Sequence, residues 1–215
     1  MNPGRRTKAI LWDNDGVLVD TERLYFRSNV QILAGVGVTL TKEMFVELFL
    51  VQGRGAWHLA AEKGISPSDI ERLRGERNAL YGALLEQESI VIDGVREVLG
   101  ALDGKYVMGV VTSSRRDHFE RIHRSTDLMH YFYFVITGDD CTMMKPNPEP
   151  YLLAVGRSGC SKEECLAVED SERGMTAAKD AGIRCVVVPT ALTKNSNFAR
   201  ADAKLESIKE VMREL

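Results

Sequence analysis

Two carboxylates two residues apart, Asp13 and Asp15, stand directly after the apolar run Ala9–Trp12, and Gly16 follows them. Acids at the end of an apolar strand are costly unless they hold a metal or do chemistry. An aspartate stays ionised at neutral pH. Asp13 can therefore attack a phosphorus atom and form an acyl-phosphate that water cleaves. Asp15 can protonate a leaving alkoxide and then take a proton from the attacking water. Gly16 lets the chain turn sharply away. A calcium loop is excluded, because Val17, Leu18 and Val19 stand where oxygen ligands would have to continue.

Three further segments carry chemistry. Thr112-Ser113-Ser114 follows the run 106–111. Hydroxyls at a strand end, next to free N–H groups at a helix start, suit a phosphate. Thr112 and Ser113 are expected to bind it, and Ser114 to cap a helix from Arg115. Lys145 lies in Met144-Lys-Pro-Asn-Pro-Glu-Pro150, where prolines stiffen the backbone. It is expected to neutralise phosphate and order Asp13. Asn147 followed by Pro148 reads as a helix cap and first-turn proline. Glu169-Asp170-Ser171 ends the run 165–168 and repeats the first strand's oddity. With Asp13 and Asp15, Glu169 and Asp170 would hold Mg²⁺, a hard cation that prefers oxygen. Asp170 or Ser171 can also cap the helix 172–181, which Gly182 ends.

These residues need elements to position them. Short apolar runs at 9–12, 106–111, 132–136, 165–168 and 184–188 alternate with helix-like stretches. That pattern predicts an α/β fold with a parallel sheet and right-handed crossovers. From Thr21 to Ile92 there is only helical patterning, too long for a crossover. The expected organisation is a catalytic core of 1–20 and 93–215, with 21–92 inserted as a helical lid on two hinge-like connections. Asp139 and Asp140 fall on a loop without a supporting partner and are left outside the site.

The composition is consistent with this. A chain of 215 residues, 44% apolar, can bury a core. A net charge of −3 gives no reason to expect nucleic acid or an anionic membrane. No signal peptide or membrane span is expected. Cys141, Cys160, Cys165 and Cys185 contain no CxxC pair and read as free thiols, so the cytoplasm is the expected location.

Asp13-Asn-Asp15-Gly16, with Asp20-Thr-Glu22 behind it, resembles the first motif of the haloacid dehalogenase superfamily. Thr112 matches its second motif, Lys145 its third and Glu169-Asp170 its fourth. Val168–Gly174, with Ala177-Ala178 and Ala181-Gly182, resembles the subgroup with a small helical cap after motif one. That subgroup holds phosphatases of sugar and polyol phosphates and of phosphoglycolate, and the β-phosphoglucomutases. The resemblance implies a Rossmann-like three-layer sandwich with an inserted cap, and Mg²⁺ as cofactor. Asp13 and Asp170 would ligate it through side chains, and Asp15 through its backbone carbonyl.

Superfamily dehalogenases lack the second aspartate, so Asp15 speaks against dehalogenation. The mutases carry a histidine on the first cap helix, where this chain has Tyr25. Their basic residue after the cap glycine is not matched in offset by Arg54 of Gly53-Arg54-Gly55. A phosphatase is therefore expected, acting as a monomer on a small phosphorylated metabolite through an aspartyl-phosphate. Arg54 and Arg77 are expected to contact the substrate, and Trp57 and His58 to pack the cap. The alternatives are a hexose-phosphate mutase, a phospho-acceptor signalling module and a binding protein that has lost catalysis. Signalling receivers are shorter, lack the insert and need no acid–base group at Asp15.

Overall fold

The computed structural model describes residues 7–215. The chain divides into two compact units. One holds the chain through Val19 and again from Val91; the other holds Asp20–Ile90.

The first unit begins with β1 (Ala9–Trp12) and is then interrupted by the second unit. That helical unit contains α1 (Glu22–Ala34), α2 (Lys42–Phe45), α3 (Trp57–Glu62) and α4 (Pro67–Gln87), with a π-helical turn at Val46–Val51. Its starts follow capping chemistry. Thr41 Oγ1 accepts from Met44 N at 3.2 Å, and Ser66 Oγ accepts from Asp69 N at 3.1 Å with Pro67 in the first turn. Its interior is aromatic: Tyr25 meets Phe45, Phe49 and Tyr81 edge-on, and Phe45 stacks on Phe49.

The first unit resumes with α5 (Val95–Leu102), β2 (Val107–Val111), α6 (Arg116–His123), β3 (Phe134–Ile136), α7 (Glu149–Ser158), β4 (Cys165–Glu169), α8 (Glu172–Asp180), β5 (Arg184–Val187) and β6 (Ala203–Lys204). The strands form one parallel sheet in the order β3-β2-β1-β4-β5-β6, with Ala9 paired to Val107 on one side and Cys165 on the other. Alternating side chains are buried on both faces, as a parallel sheet sandwiched by helices requires. Ala9, Leu11, Ala167 and Cys185 pack with Tyr151 and Ala154 of α7 and with Met175, Ala177 and Ala178 of α8. Ile10, Trp12, Met108 and Val110 face the other way and are equally inaccessible. The fold is a Rossmann-like α/β sandwich with an inserted helical unit. Tyr106, Phe132 and Tyr133 fall outside the strands, and the two-residue β6 is too short to show as an apolar run. Among the described residues, no helix is long and apolar enough to cross a membrane.

The two connections to the helical unit run side by side. Val19 bridges Val91 in antiparallel fashion, Ile92 N donates to Leu18 O at 3.1 Å, and Asp20 N donates to Ile90 O at 2.7 Å.

Candidate active site

The order β2-β1-β4 places the C-terminal ends of three central strands together, the usual position for a site in an open parallel sheet. Asp13 follows β1, Thr112 follows β2, and Glu169 and Asp170 end β4. A fourth segment, the loop before α7, brings in Lys145.

Lys145 is the hub. Its Nζ donates to Asp13 Oδ1 at 2.7 Å, Glu169 Oε1 at 2.6 Å and Val111 O at 2.7 Å. All three ammonium protons are thereby used. The side chain is 5% exposed, so the charge must be paired where it lies. Burial works against the ammonium, but Asp13 and Glu169 outweigh it and hold its pKa above the ordinary lysine value. Arg173 Nη2 donates to Lys145 O at 2.5 Å and fixes the backbone that carries it.

Glu169 is wholly inaccessible. Its Oε1 also accepts from Tyr151 Oη at 2.7 Å, and its Oε2 from Ser171 Oγ at 3.2 Å. It fits there because residue 174 is glycine: a Cβ at Gly174 would overlap the Glu169 carboxylate. Gly16 serves the other side of the site. It adopts φ +87°, and a Cβ there would overlap the Asp170 carboxylate.

Asp13, Glu169 and Asp170 are all buried, and each places a carboxylate oxygen within 4.8 Å of the others. Lys145 pairs with two of them, Asp13 and Glu169. Burial first, then Glu169, push Asp13 up to about 7 against the pull of Lys145. Such a crowded, oxygen-rich set fits a divalent cation, which would offset the charge of the acids. Of the three, Glu169 is the most committed to protein donors.

Asp15 is held separately. Its Oδ2 accepts from Ser114 Oγ at 2.9 Å, Asn14 Nδ2 at 3.2 Å and, more weakly, Thr112 Oγ1 at 3.4 Å. Thr112 Oγ1 in turn accepts from Ser114 N at 3.0 Å. Ser113 is exposed beside them. Ser114 is therefore not the helix cap expected from sequence. α6 starts at Arg116, whose N–H is capped by Asp139 Oδ2 at 3.0 Å. Asp140 pairs with Arg116 at 2.6 Å and accepts from Thr137 Oγ1 and N. The two acids set aside as unsupported thus join the end of β3 to the start of α6. Asn147 does cap, accepting from Glu149 N at 3.0 Å, and Ser171 caps α8 through Gly174 N at 3.1 Å.

Two contributors, His123 and Tyr151, carry no advance signal, and Asn14 and Gly174 are marked only as members of their motifs. Asn14 at least interrupts an otherwise apolar strand end. His123 and Tyr151 sit in ordinary amphipathic helices.

The two arginines lie in the helical unit and make their contacts there. Arg54 is exposed and 2.9 Å from His58 Nε2. Arg77 is buried. It donates to Tyr25 Oη at 2.5 Å and Asn29 Oδ1 at 3.1 Å, with its guanidinium over the Tyr25 ring at 4.6 Å. Trp57 is also buried and lies beneath Arg77 and Arg74. All four cysteines are free, with Cys165 and Cys185 buried.

A parallel sheet whose central strands end in paired aspartates, a threonine, a buried lysine and a second pair of acids defines a phosphoryl-transferring hydrolase. Residues 10–188 match the haloacid dehalogenase-like hydrolase family, and the chain belongs to it. It is 32% identical over 219 residues to the phosphorylated carbohydrates phosphatase of Thermotoga maritima, covering 97% of this chain and 99% of that one. It is 27% identical over 225 residues to hexitol phosphatase B of Escherichia coli, covering 98% and 97%. Its fold superposes on the crystal structure of CbbY from Rhodobacter sphaeroides in complex with xylulose-(1,5)bisphosphate, with TM-score 0.78, 27% identity and 94% of each chain covered. The protein is a phosphoric monoester hydrolase.

Proposed function

We propose that this hydrolase is a Mg²⁺-dependent phosphatase of a small phosphorylated sugar, polyol or glycolate-like metabolite, working through an aspartyl-phosphate on Asp13. The observation that carries the reading is the division of labour between the two aspartates. Asp13 is tied to Lys145 and the acid cluster, whereas Asp15 accepts from Ser114, Asn14 and Thr112. An ion-paired carboxylate suits a nucleophile, and a second carboxylate two residues on, held by hydroxyls and an amide, is placed to handle the protons.

In the first step an Asp13 carboxylate oxygen bonds to phosphorus while the ester P–O bond breaks. Protonated Asp15 gives its proton to the departing alkoxide. In the second step water attacks phosphorus, Asp15 takes the water's proton, and the acyl-phosphate bond breaks to regenerate Asp13. Lys145 holds Asp13 in place throughout. Thr112 and Ser113 lie at the end of β2, where hydroxyls can meet phosphate oxygens. Mg²⁺, held by Asp13, Asp170 and the Asp15 carbonyl with Glu169 in support, would neutralise the transferring group.

The Asp20–Ile90 unit serves as the lid that selects the substrate, with Arg54 and Arg77 as its cationic contacts. Arg77 is buried against neutral partners, so an anionic or hydroxyl-rich substrate is its natural complement. Tyr25, held by Arg77, stands where the resembling mutases have an acid–base histidine, which favours hydrolysis over transfer. The protein acts as a cytoplasmic monomer without nucleic acid or membrane partners. Turnover of a panel of phosphorylated metabolites with Mg²⁺, for wild type and Asp15→Asn, tests the reading. Asp15→Asn should lose about 10²–10⁴-fold on alkyl phosphates and much less on p-nitrophenyl phosphate, whose leaving group needs no proton. Equal losses on both would reject the role of Asp15.

A further inference from the structure

Asn14 lies between the two aspartates and is wholly inaccessible to solvent. A buried amide is retained only where its donors and acceptors are met. Its Nδ2 is 3.2 Å from Asp15 Oδ2, and its Oδ1 is 2.7 Å from Nε2 of His123 at the end of α6. His123 Nδ1 is 2.8 Å from Thr126 Oγ1. His123 and Thr126 are 7% and 1% exposed, so water does not substitute for these contacts.

The proton directions are forced from the Asp15 end. The Asn14 nitrogen faces the carboxyl and donates to it. Asn14 Oδ1 then faces His123 and needs a donor, which fixes the proton on Nε2. Nδ1 is left with a lone pair and accepts from the Thr126 hydroxyl. The result is one line of donors, Thr126 to His123 to Asn14 to Asp15, each pointing toward the carboxylate. Burial agrees with the neutral ring: it pushes His123 down to about 4, with Asp15 pulling weakly the other way.

We propose that Asn14, oriented by His123 and Thr126, is a positioning residue that fixes the rotamer of Asp15. The proposal rests on the acid–base role of Asp15 given above. A hydrogen bond from a buried, fully partnered amide fixes where the Asp15 carboxyl points, and so how well it is aligned with a leaving-group oxygen. None of the three residues needs to touch substrate.

The test uses Asn14→Leu, His123→Phe and His123→Gln, with Mg²⁺ present. It reads kcat and KM over a series of phosphate esters from alkyl to p-nitrophenyl, together with thermal melts. Asn14→Leu and His123→Phe should lower kcat on alkyl esters about 10-fold, the scale of one hydrogen bond to a charged group. KM should be unchanged, and the loss should shrink toward p-nitrophenyl phosphate. His123→Gln keeps an N–H that can reach Asn14 Oδ1 and should recover most of the rate. Should Asn14→Leu or His123→Phe not fold, Thr126→Val, which removes only the last donor, should show the same leaving-group dependence in smaller measure. Losses equal across the series, or rates equal to wild type, would overturn the proposal. If Asp15→Asn itself fails to discriminate between leaving groups, the acid–base role falls and the positioning role with it. If Asp15→Asn discriminates and these variants do not, only the positioning role falls.

Discussion

Lys145 Nζ sits 2.7 Å from Asp13 Oδ1, although 132 residues separate the two in the chain. The contact closes only when the loop before α7 is folded over the end of β1, so Asp13 and the fold share one interaction. Removing the lysine leaves Asp13 and Glu169 facing each other in a buried site. Breaking such a buried pair costs about 3–5 kcal/mol. Lys145→Met should melt well below wild type and lose turnover. Lys145→Arg should not rescue it, because three acceptors in three directions suit an ammonium and not a planar fork. Melting curves and rates for both variants check this.

Mg²⁺ held by the acid cluster should have a measurable effect on stability. A cation that binds only the folded chain raises the melting temperature with its concentration. Mg²⁺ should therefore stabilise the wild type, and EDTA should reverse the gain. Asp170→Asn removes one of the three clustered carboxylates and should abolish most of the shift while keeping the fold. A Mg²⁺ response equal to wild type in Asp170→Asn would place the ion elsewhere.

His123 makes stability pH-dependent. In the unfolded chain it takes a proton near 6.5, but in the folded chain only near 4. The folded pKa is depressed, so between these values the unfolded state binds more protons. The contribution is present in full above about pH 6.5 and is lost as pH falls toward 4. It amounts to about 3 kcal/mol. Asp13, raised to about 7, acts in the opposite sense, losing stability as pH rises through the same range. The comparison of His123→Gln with wild type isolates the histidine. Urea unfolding from pH 4 to pH 7 should show wild type gaining on the variant as pH rises.

Some of this site is legible in the sequence because its signal is local. Asp13, Asp15, Glu169 and Asp170 each follow an apolar strand run, where an acid is conspicuous. Lys145 is marked by the prolines around it. The sheet is legible for the same reason, since its buried strands are continuous apolar runs. Ser114, His123 and Tyr151 are not legible, because their roles depend on which helix packs over which strand. Ser114 looks like a cap from its neighbours, yet Asp139 caps α6 from another loop and leaves Ser114 Oγ for Asp15. β6 is held by only two register pairs with β5, too few for any periodicity.

Tyr25 should separate hydrolysis from transfer. Its hydroxyl accepts from buried Arg77, so it is an acceptor held in place. With β-glucose 1-phosphate and Mg²⁺, followed by phosphorus NMR, inorganic phosphate should form ahead of glucose 6-phosphate. The reverse order would make the enzyme a mutase. Tyr25→His tests the same residue by a gain: any transfer activity should rise relative to hydrolysis.

The account turns on a covalent bond between phosphorus and Asp13, and borohydride reads that bond directly. An acyl-phosphate is reduced by borohydride to an alcohol, whereas a free carboxylate is not, so a trapped Asp13 becomes homoserine. Enzyme turning over its substrate with Mg²⁺ should be quenched with borohydride, digested, and the peptide holding residues 9–22 analysed by mass spectrometry. Homoserine should appear at position 13, only when substrate is present, and Asp13→Asn should show neither the mark nor turnover. A wild-type peptide unmodified during steady turnover, together with an Asp13→Asn enzyme running at the wild-type rate, would contradict the account.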